Sequence, residues 1–113
     1  MIKELLIVLT VHMEAAYDAK DIALVSQVVV NRVEKHGVGE LFRKNQFQCW
    51  NMGYTYISNS LLRIDTKRFK TIQRVVRRTK PSLVMHYVGK GVSKIWTRKM
   101  KKTGQSKYHV LLK

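Results

Sequence analysis

Two acidic side chains near the end of an apolar segment are the first candidates for chemistry in this chain. Segment 2–18 is predicted to be a helix that is apolar nearly all the way round at its start. Helical spacing places these side chains on one face: Ile7, Val11, Glu14 and Asp18. Because burial disfavours a charged carboxylate, we expect a raised pKa for the inner acid, Glu14. A carboxylic acid that is still protonated near neutral pH can act as the general acid for a leaving group such as a glycosidic oxygen.

A structural interpretation of Glu14 stays open beside the catalytic one. A glutamate near a helix end is most often solvated or paired with a cation, and this chain has 22 lysines and arginines. Acids with shifted pKa values also occur in structural ion pairs. Spacing alone therefore leaves both roles possible for this residue.

The positive charge of the chain is confined to its second half. The formal net charge is +15, yet residues 1–60 carry six basic and six acidic side chains. Residues 61–113 carry sixteen basic side chains against a single acid, Asp65. Such a field favours encounter with a polyanion, which could be nucleic acid, phospholipid or an anionic polymer of a bacterial envelope.

Length and cysteine content predict one domain that needs neither disulfide nor metal. The chain has 113 residues, of which 45% are hydrophobic, enough for a single core. Its one cysteine, Cys49, excludes an internal disulfide and is expected to pack in the core. Four histidines lack the spacing of metal ligands: His12, His36, His86 and His109. We expect no cofactor and a monomeric protein.

The apolar run Leu5–Leu9 is not expected to anchor the protein in a membrane. Even when extended by Val11, the run is too short to span a bilayer. A signal peptide cleaved near Ala15-Ala16 is disfavoured, because cleavage would remove Glu14 and the first helix from a small core. The expectation is production in the cytoplasm, with another factor carrying the protein to any site outside it.

A second helix is predicted from Ile22 to about His36. Asp21 is its predicted N-cap and Gly37 its stop. The valines would also suit a strand, but the length, the cap and the interspersed polar residues favour a helix. The predicted buried positions are Ala23, Val25, Val29, Val30 and Val33.

A third helix is predicted from the cap residue Asp65 to about Thr79, with Pro81 ending it. The predicted inward positions are Phe69, Ile72, Val75 and Val76. The predicted outward positions form a basic face: Lys67, Arg68, Lys70, Arg74, Arg77 and Arg78.

The remaining segments are predicted to be irregular or extended. Residues 37–60 are rich in glycine, asparagine and aromatics, which indicates an irregular segment or short helical turns. Residues 83–88 and 108–112 predict two short strands that pair as an antiparallel hairpin. The charge run Arg98–Lys102 is expected to be a solvated loop.

Several short motifs together resemble the cell-wall hydrolase family of the spore cortex-lytic enzymes. The segments that carry the resemblance are Glu14–Asp18, Val30–Val33, Gln46–Trp50, His86-Tyr87, Lys94–Trp96 and His109–Leu112. The family shows Glu-Ala-Arg-Gly-Glu, Leu-Asn-Arg-Val, Gln-Phe-Ser, Tyr-His, Pro-x-Trp and His-x-Phe-Tyr in this order. The resemblance runs from about residue 9 to the end of the chain.

The resemblance implies a lysozyme-like fold. This fold is a single α+β domain that is mainly α and has a small antiparallel β-hairpin near the C-terminus. It implies cleavage of peptidoglycan between N-acetylmuramic acid and N-acetylglucosamine, usually as a lytic transglycosylase, and a bacteriophage endolysin as the kind of protein. Glu14 matches the family's general acid/base, and the second glutamate falls on Asp18 or Asp21. Three departures are Ala16-Tyr17 for Arg-Gly, Lys94 for proline, and Leu111-Leu112 for the final aromatic pair.

A sugar-binding groove is expected beside the acid, since aromatic rings stack on pyranose faces and amides bond acetamido groups. The candidates are Gln46, Phe47, Trp50, His86, Tyr87 and Trp96, although each aromatic would equally suit a core. Asn31 and Arg32 are candidates to hold the surroundings of the acid.

Three alternatives to transglycosylation stay open. Muramidase-type hydrolysis would need two carboxyl groups about 5–5.5 Å or about 6.5–9.5 Å apart. A non-enzymatic nucleic-acid-binding protein would use the basic helix and Arg98–Lys102 on phosphates. A cationic protein that disrupts the envelope without catalysis is the third.

Overall fold

A computed structural model of the chain describes residues 2–44, 46–82, 86–89, 101–106 and 108–112. Within these ranges the protein is mainly helical, with a small antiparallel sheet toward its C-terminal end. The helices are α1 (Ile2–Glu14), α2 (Ala19–His36), α3 (Gln48–Asn51), α4 (Tyr54–Leu62) and α5 (Thr66–Arg78), with a 3-10 helix at Val38–Phe42. In this part of the chain, no helix is both long and apolar enough to cross a bilayer.

Helix α1 ends at Glu14, four residues before the predicted end, so the predicted stacking of Glu14 and Asp18 on one helix face is wrong. Asp18 is instead the N-cap of α2, with an extended backbone and a side chain that accepts from the Lys20 N–H at 2.9 Å. An aspartate can bond the free N–H groups of a starting helix, which favours a new helix here over continuation of the old one.

Helix α2 is the centre of the core and begins earlier than predicted. Asp21, the predicted cap, lies inside the first turn and is fully buried. The predicted burial of the valines is confirmed, whereas Ala23 is exposed and its predicted burial is wrong. Gly37 ends the helix as predicted, with a φ of 86° that a side chain would strain. The core joins α1, α2 and α5 through residues that include Val8, Val11, Val25, Val29 and Ile72.

Helix α5 begins and ends as its sequence predicts. Its N-cap is Asp65, and Ile72 and Val76 are buried as expected. Five of the six predicted outward residues are exposed and form the basic face: Lys67, Lys70, Arg74, Arg77 and Arg78. Arg68 is the exception, because its side chain is only 7% exposed and the prediction that it points outward is wrong.

The cap at Asp65 offers a direct test of α5. Its Oδ1 accepts from the N–H groups of Lys67 at 2.9 Å and Arg68 at 3.3 Å. Asp65→Ala should lower the free energy of unfolding by about 1 kcal/mol because both N–H groups lose their acceptor. Asp65→Asn, which retains a capping oxygen, should stay within a few tenths of a kcal/mol of the wild type. Urea denaturation of both variants measures the difference, and equal loss in both would contradict the capping role.

The segment between α2 and α5 folds as the predicted short helical turns. The 3-10 helix packs against α1 and α2, and α3 packs against α1. This segment brings Leu41, Phe47 and Cys49 into the core. Helix α4 contributes no buried residue.

The sheet has one more strand than predicted. Strands β1 (His86–Gly89), β2 (Lys102–Gln105) and β3 (His109–Leu112) run in the spatial order β1-β3-β2, with antiparallel neighbours. Pairing of β1 with β3 confirms the predicted hairpin partners, while β2 was not predicted. Lys102 lies in β2, so the predicted loop is wrong there; residues 98–100 of that run lie outside the described residues. The register places His109 opposite Gly89 and His86 opposite Leu112, so the two histidines are not partners.

Candidate functional site

Glu14 occupies the last position of α1, where the helix meets α3. Its side chain is partly buried, and Oε1 accepts a long hydrogen bond of 3.4 Å from the Cys49 N–H. Burial raises the pKa of the Glu14 carboxyl above its usual range, and the hydrogen bonds from Cys49 and Gln48 offset only part of that effect. The raised pKa expected from the sequence is confirmed.

The buried guanidinium of Arg68 fixes the end of α1 and so the place of Glu14. Its two terminal nitrogens donate to the carbonyls of His12 at 2.6 Å, Ala15 at 2.7 Å and Ala16 at 3.2 Å. The same group lies 4.3 Å from the ring centroid of Tyr17. Carbonyls at a helix end carry partial negative charge and lack partners in the helix, so a cation from α5 satisfies them.

Asp21, on the first turn of α2, connects the helices to the sheet. Its Oδ1 accepts from Ser106 Oγ at 2.5 Å and lies 2.6 Å from His109 Nδ1. Its Oδ2 accepts from the Ala16 N–H at 2.8 Å. Burial by itself would raise the pKa of Asp21, but the hydrogen bonds from Ser106, Ala16 and His109 outweigh burial and lower it. Asp21 is therefore a buried carboxylate with fixed partners.

Tyr87, on β1, completes a cluster of ionisable groups with Glu14. Its ring meets the His109 ring edge-on, with 5.0 Å between the centroids. Burial raises the pKa of the Tyr87 phenol well above its usual value, and the negative charge of Glu14 adds to this effect. The phenol therefore stays neutral, within electrostatic reach of the acid. We call Glu14, Asp21, Tyr87 and His109 the acid cluster.

Cys49 lies against the acid cluster and is not a reactive thiol. It is 2% exposed, and burial raises the pKa of its thiol far above the usual range, with a further rise from the charge of Glu14. Because the thiolate is the reactive form, such a thiol is inert.

We expect Cys49 to resist alkylation for as long as the protein stays folded. Iodoacetamide at pH 8 should label less than about a tenth of the native protein, because its thiol is buried and protonated. The same reagent in denaturant should add one label per chain, the number set by the single cysteine. Mass spectrometry counts the labels, and rapid labelling of native protein would contradict the burial and the raised pKa.

Two predicted groove residues have structural contacts instead. Phe47 is 1% exposed and belongs to the core, so its predicted place in a sugar-binding groove is wrong. Trp50 is partly buried, donates from Nε1 to Thr10 Oγ1 at 2.8 Å and packs 5.0 Å from the centroid of Phe42. The indole is therefore held by α1 with its polar edge already bonded.

Arg32 and Asn31 support loops around the core. Arg32 donates to Gln46 Oε1 at 2.5 Å and lies 5.3 Å from the centroid of Phe47. Asn31 bonds the backbone and side chain of Ser82 at 2.5 and 2.9 Å. The described contacts of Arg32 therefore fix Gln46, on the segment that leads into α3.

The structure brings part of the predicted site together. Glu14 and Tyr87 lie within electrostatic reach of each other, while Asp18 caps α2. Trp96 lies outside the described residues, and of His86 only the backbone, in β1, is described. Sequence reasoning assigned no site role to Ser106 or His109. No local pattern could have paired His109 with Asp21, because the two residues are 88 positions apart.

Comparison of the chain with family models, curated proteins and solved structures finds no match. Among the described residues, no group of three or more histidine, cysteine, aspartate or glutamate side chains is arranged to hold a metal ion.

Proposed function

We propose that the protein is a peptidoglycan-degrading enzyme with a lysozyme-like catalytic domain and Glu14 as its general acid/base. The observation that carries the proposal is the partly buried Glu14 carboxyl group where α1 meets α3, whose pKa burial raises and which lies within electrostatic reach of the Tyr87 phenol. A raised pKa extends the protonated form of a carboxyl group toward the pH range in which a sugar leaving group needs a proton. The motif resemblance described above points to the same residue.

The proposed bond is the glycosidic link between N-acetylmuramic acid and N-acetylglucosamine. Glu14 protonates the glycosidic oxygen and then, as the carboxylate, takes the proton of the muramyl 6-hydroxyl, whose oxygen closes a 1,6-anhydro ring. This transglycosylase route needs one free carboxyl group. Hydrolysis by two carboxylates is less well supported, because Asp18 bonds the start of α2 and Asp21 bonds three partners.

The basic face of α5 supports a polyanionic substrate surface. Its exposed side chains are Lys67, Lys70, Arg74, Arg77 and Arg78. Bacterial envelopes are polyanionic, so this face would hold the enzyme on its substrate through charge attraction that salt weakens. The proposal includes synthesis in a bacterial host and action on the cell wall, as in a bacteriophage endolysin.

Product analysis on purified peptidoglycan tests the proposal. The wild-type chain should lower turbidity and release muropeptides that end in 1,6-anhydro-muramic acid, identified by mass spectrometry. Muropeptides with a reducing muramic acid would establish muramidase hydrolysis instead. A wild-type chain that releases neither product, but is retained on DNA in a salt-sensitive way, would refute the enzyme and favour the nucleic-acid-binding alternative.

A further inference from the structure

We propose that His109, oriented by Asp21, is a second proton-transfer residue of the site and receives the proton of the attacking hydroxyl while Glu14 protonates the leaving oxygen. This inference rests on the proposed function. It assigns the two proton transfers to two different groups, whereas the simpler scheme uses Glu14 for both transfers.

The hydrogen bond to Asp21 determines which ring nitrogen of His109 carries a proton. Asp21 is a carboxylate, so its oxygens only accept, and the 2.6 Å contact requires Nδ1 of His109 to donate. In the neutral ring, Nε2 is then left with an unshared electron pair. A carboxylate that fixes the tautomer in this way prepares the imidazole to act as a base.

Ser106 makes the orientation of His109 rigid. Its Oγ donates to Asp21 and accepts from the N–H groups of Tyr108 at 3.1 Å and His109 at 3.0 Å. The Ser106 N–H also donates to the His109 carbonyl at 2.8 Å. Both the ring and the backbone of His109 are thus tied to the first turn of α2, and the ring is 18% exposed.

His109 is linked to Glu14 through electrostatics and through Tyr87. A positive charge on His109 lowers the pKa of Glu14, and the charge of Glu14 raises the pKa of Tyr87, whose ring meets the His109 ring edge-on. The ionisable groups that meet here are Glu14 from α1, Asp21 from α2, Cys49 from α3 and Tyr87 from β1, with Arg32 of α2 near the phenol. Cys49 and Tyr87 are held in their protonated forms, so neither competes with His109 for a proton.

The proposed step balances without a further reactant. The O–H bond of the muramyl 6-hydroxyl breaks, its proton goes to Nε2 of His109, and its oxygen bonds to the anomeric carbon. The glycosidic bond breaks with its electron pair on the leaving oxygen, which takes the proton of Glu14. Transfer of one proton from the imidazolium to the Glu14 carboxylate then restores the starting state.

Two measurements test the assignment. Nitrogen-15 NMR of the wild-type chain should show His109 with the proton on Nδ1, and Asp21→Asn should shift the ring toward the other tautomer. Asp21→Asn and His109→Gln should each reduce kcat by about 100-fold with KM within threefold, and His109→Gln should remove one limb of the pH profile. Asp65→Asn is the matched control, since its side chain caps α5 outside the acid cluster, and it should retain full kcat.

The outcomes separate this inference from the proposed function. Full activity and an unchanged pH profile in His109→Gln would overturn the inference alone, as would a wild-type ring protonated only on Nε2. A wild-type chain without product would overturn the proposed function and the assigned proton transfer together. Far-ultraviolet circular dichroism establishes that each variant is folded, and if Asp21→Asn unfolds, the profile of His109→Gln decides the result.

Discussion

Under the proposed function, Glu14→Gln is expected to reduce muropeptide release by about 1,000-fold, because glutamine has the shape of the acid but is not acidic enough to transfer a proton. Its amide oxygen can still accept from the Cys49 N–H, so the end of α1 should keep its place. Glu34→Gln is the matched control, since Glu34 is an exposed acid paired with Lys3 at 2.8 Å. Turbidity loss and product mass analysis measure both variants, and activity in Glu14→Gln within tenfold of the wild type would refute Glu14 as the acid.

The same variant should be more stable than the wild type at neutral pH. The pKa of Glu14 is raised in the folded protein above the ordinary value of 4.5, so folding favours the protonated form. Its stabilising effect is therefore complete at low pH and is lost as pH rises through the folded pKa. Because the glutamine of Glu14→Gln does not ionise, the variant does not lose this stability as pH rises. Its Tm should therefore exceed that of the wild type by more at pH 7 than at pH 3.5. A lower Tm in the variant at pH 7 would contradict the conclusion that burial destabilises the Glu14 carboxylate.

Arg68→Ala is expected to cause the largest loss of stability among the variants considered. The change removes the donors to the carbonyls of His12, Ala15 and Ala16 at the end of α1. Because unsatisfied buried polar groups each cost about 1–3 kcal/mol, the free energy of unfolding should fall by about 3 kcal/mol or more. The expected drop in Tm is roughly 10–15 °C, measured by circular dichroism.

Two variants on α5 separate the role of Arg68 from general loss of charge. Arg74→Ala removes an exposed cation from the same helix and should change stability by less than about 0.5 kcal/mol. Arg68→Lys keeps the charge, but a single ammonium cannot reproduce the planar fork that reaches separate carbonyls, so most of the loss should remain. Equal Tm values for Arg68→Ala and Arg74→Ala would show that α1 does not depend on this contact.

Sequence rules that consider only neighbouring residues predicted a helix end correctly where the contacts that fix that end lie within one turn of it. The cap at Asp65 and the stop at Gly37 depend on residues within one turn, and both predictions are confirmed. Asp18 and Asp21 are each suitable caps by local rules. The choice between them involves Ser106 and His109, which bond Asp21 from the far end of the chain.

In the candidate site, too, the sequence predicted the features that neighbouring residues determine and missed those that long-range contacts determine. The raised pKa of Glu14 followed from its place at the end of an apolar helix stripe. Helical periodicity assigned Arg68 to the outer face. Periodicity within α5 carries no information about α1, whose end lies opposite Arg68 and presents free carbonyl groups to it. Composition suggested Phe47 as a groove ring, yet an aromatic side chain in an irregular segment suits a core equally well, and burial decided for the core.

The contacts of Asp21 with Ser106 and His109 join residues 85 and 88 positions apart. Contacts between residues so far apart in the sequence form late in folding, after the segments between them have folded. A partly assembled chain with its helices in place but its sheet undocked would therefore hold Glu14 beside Cys49 but without Tyr87 and His109. The proposed cleavage of glycan should therefore be lost in a denaturant titration no later than the docking of the sheet.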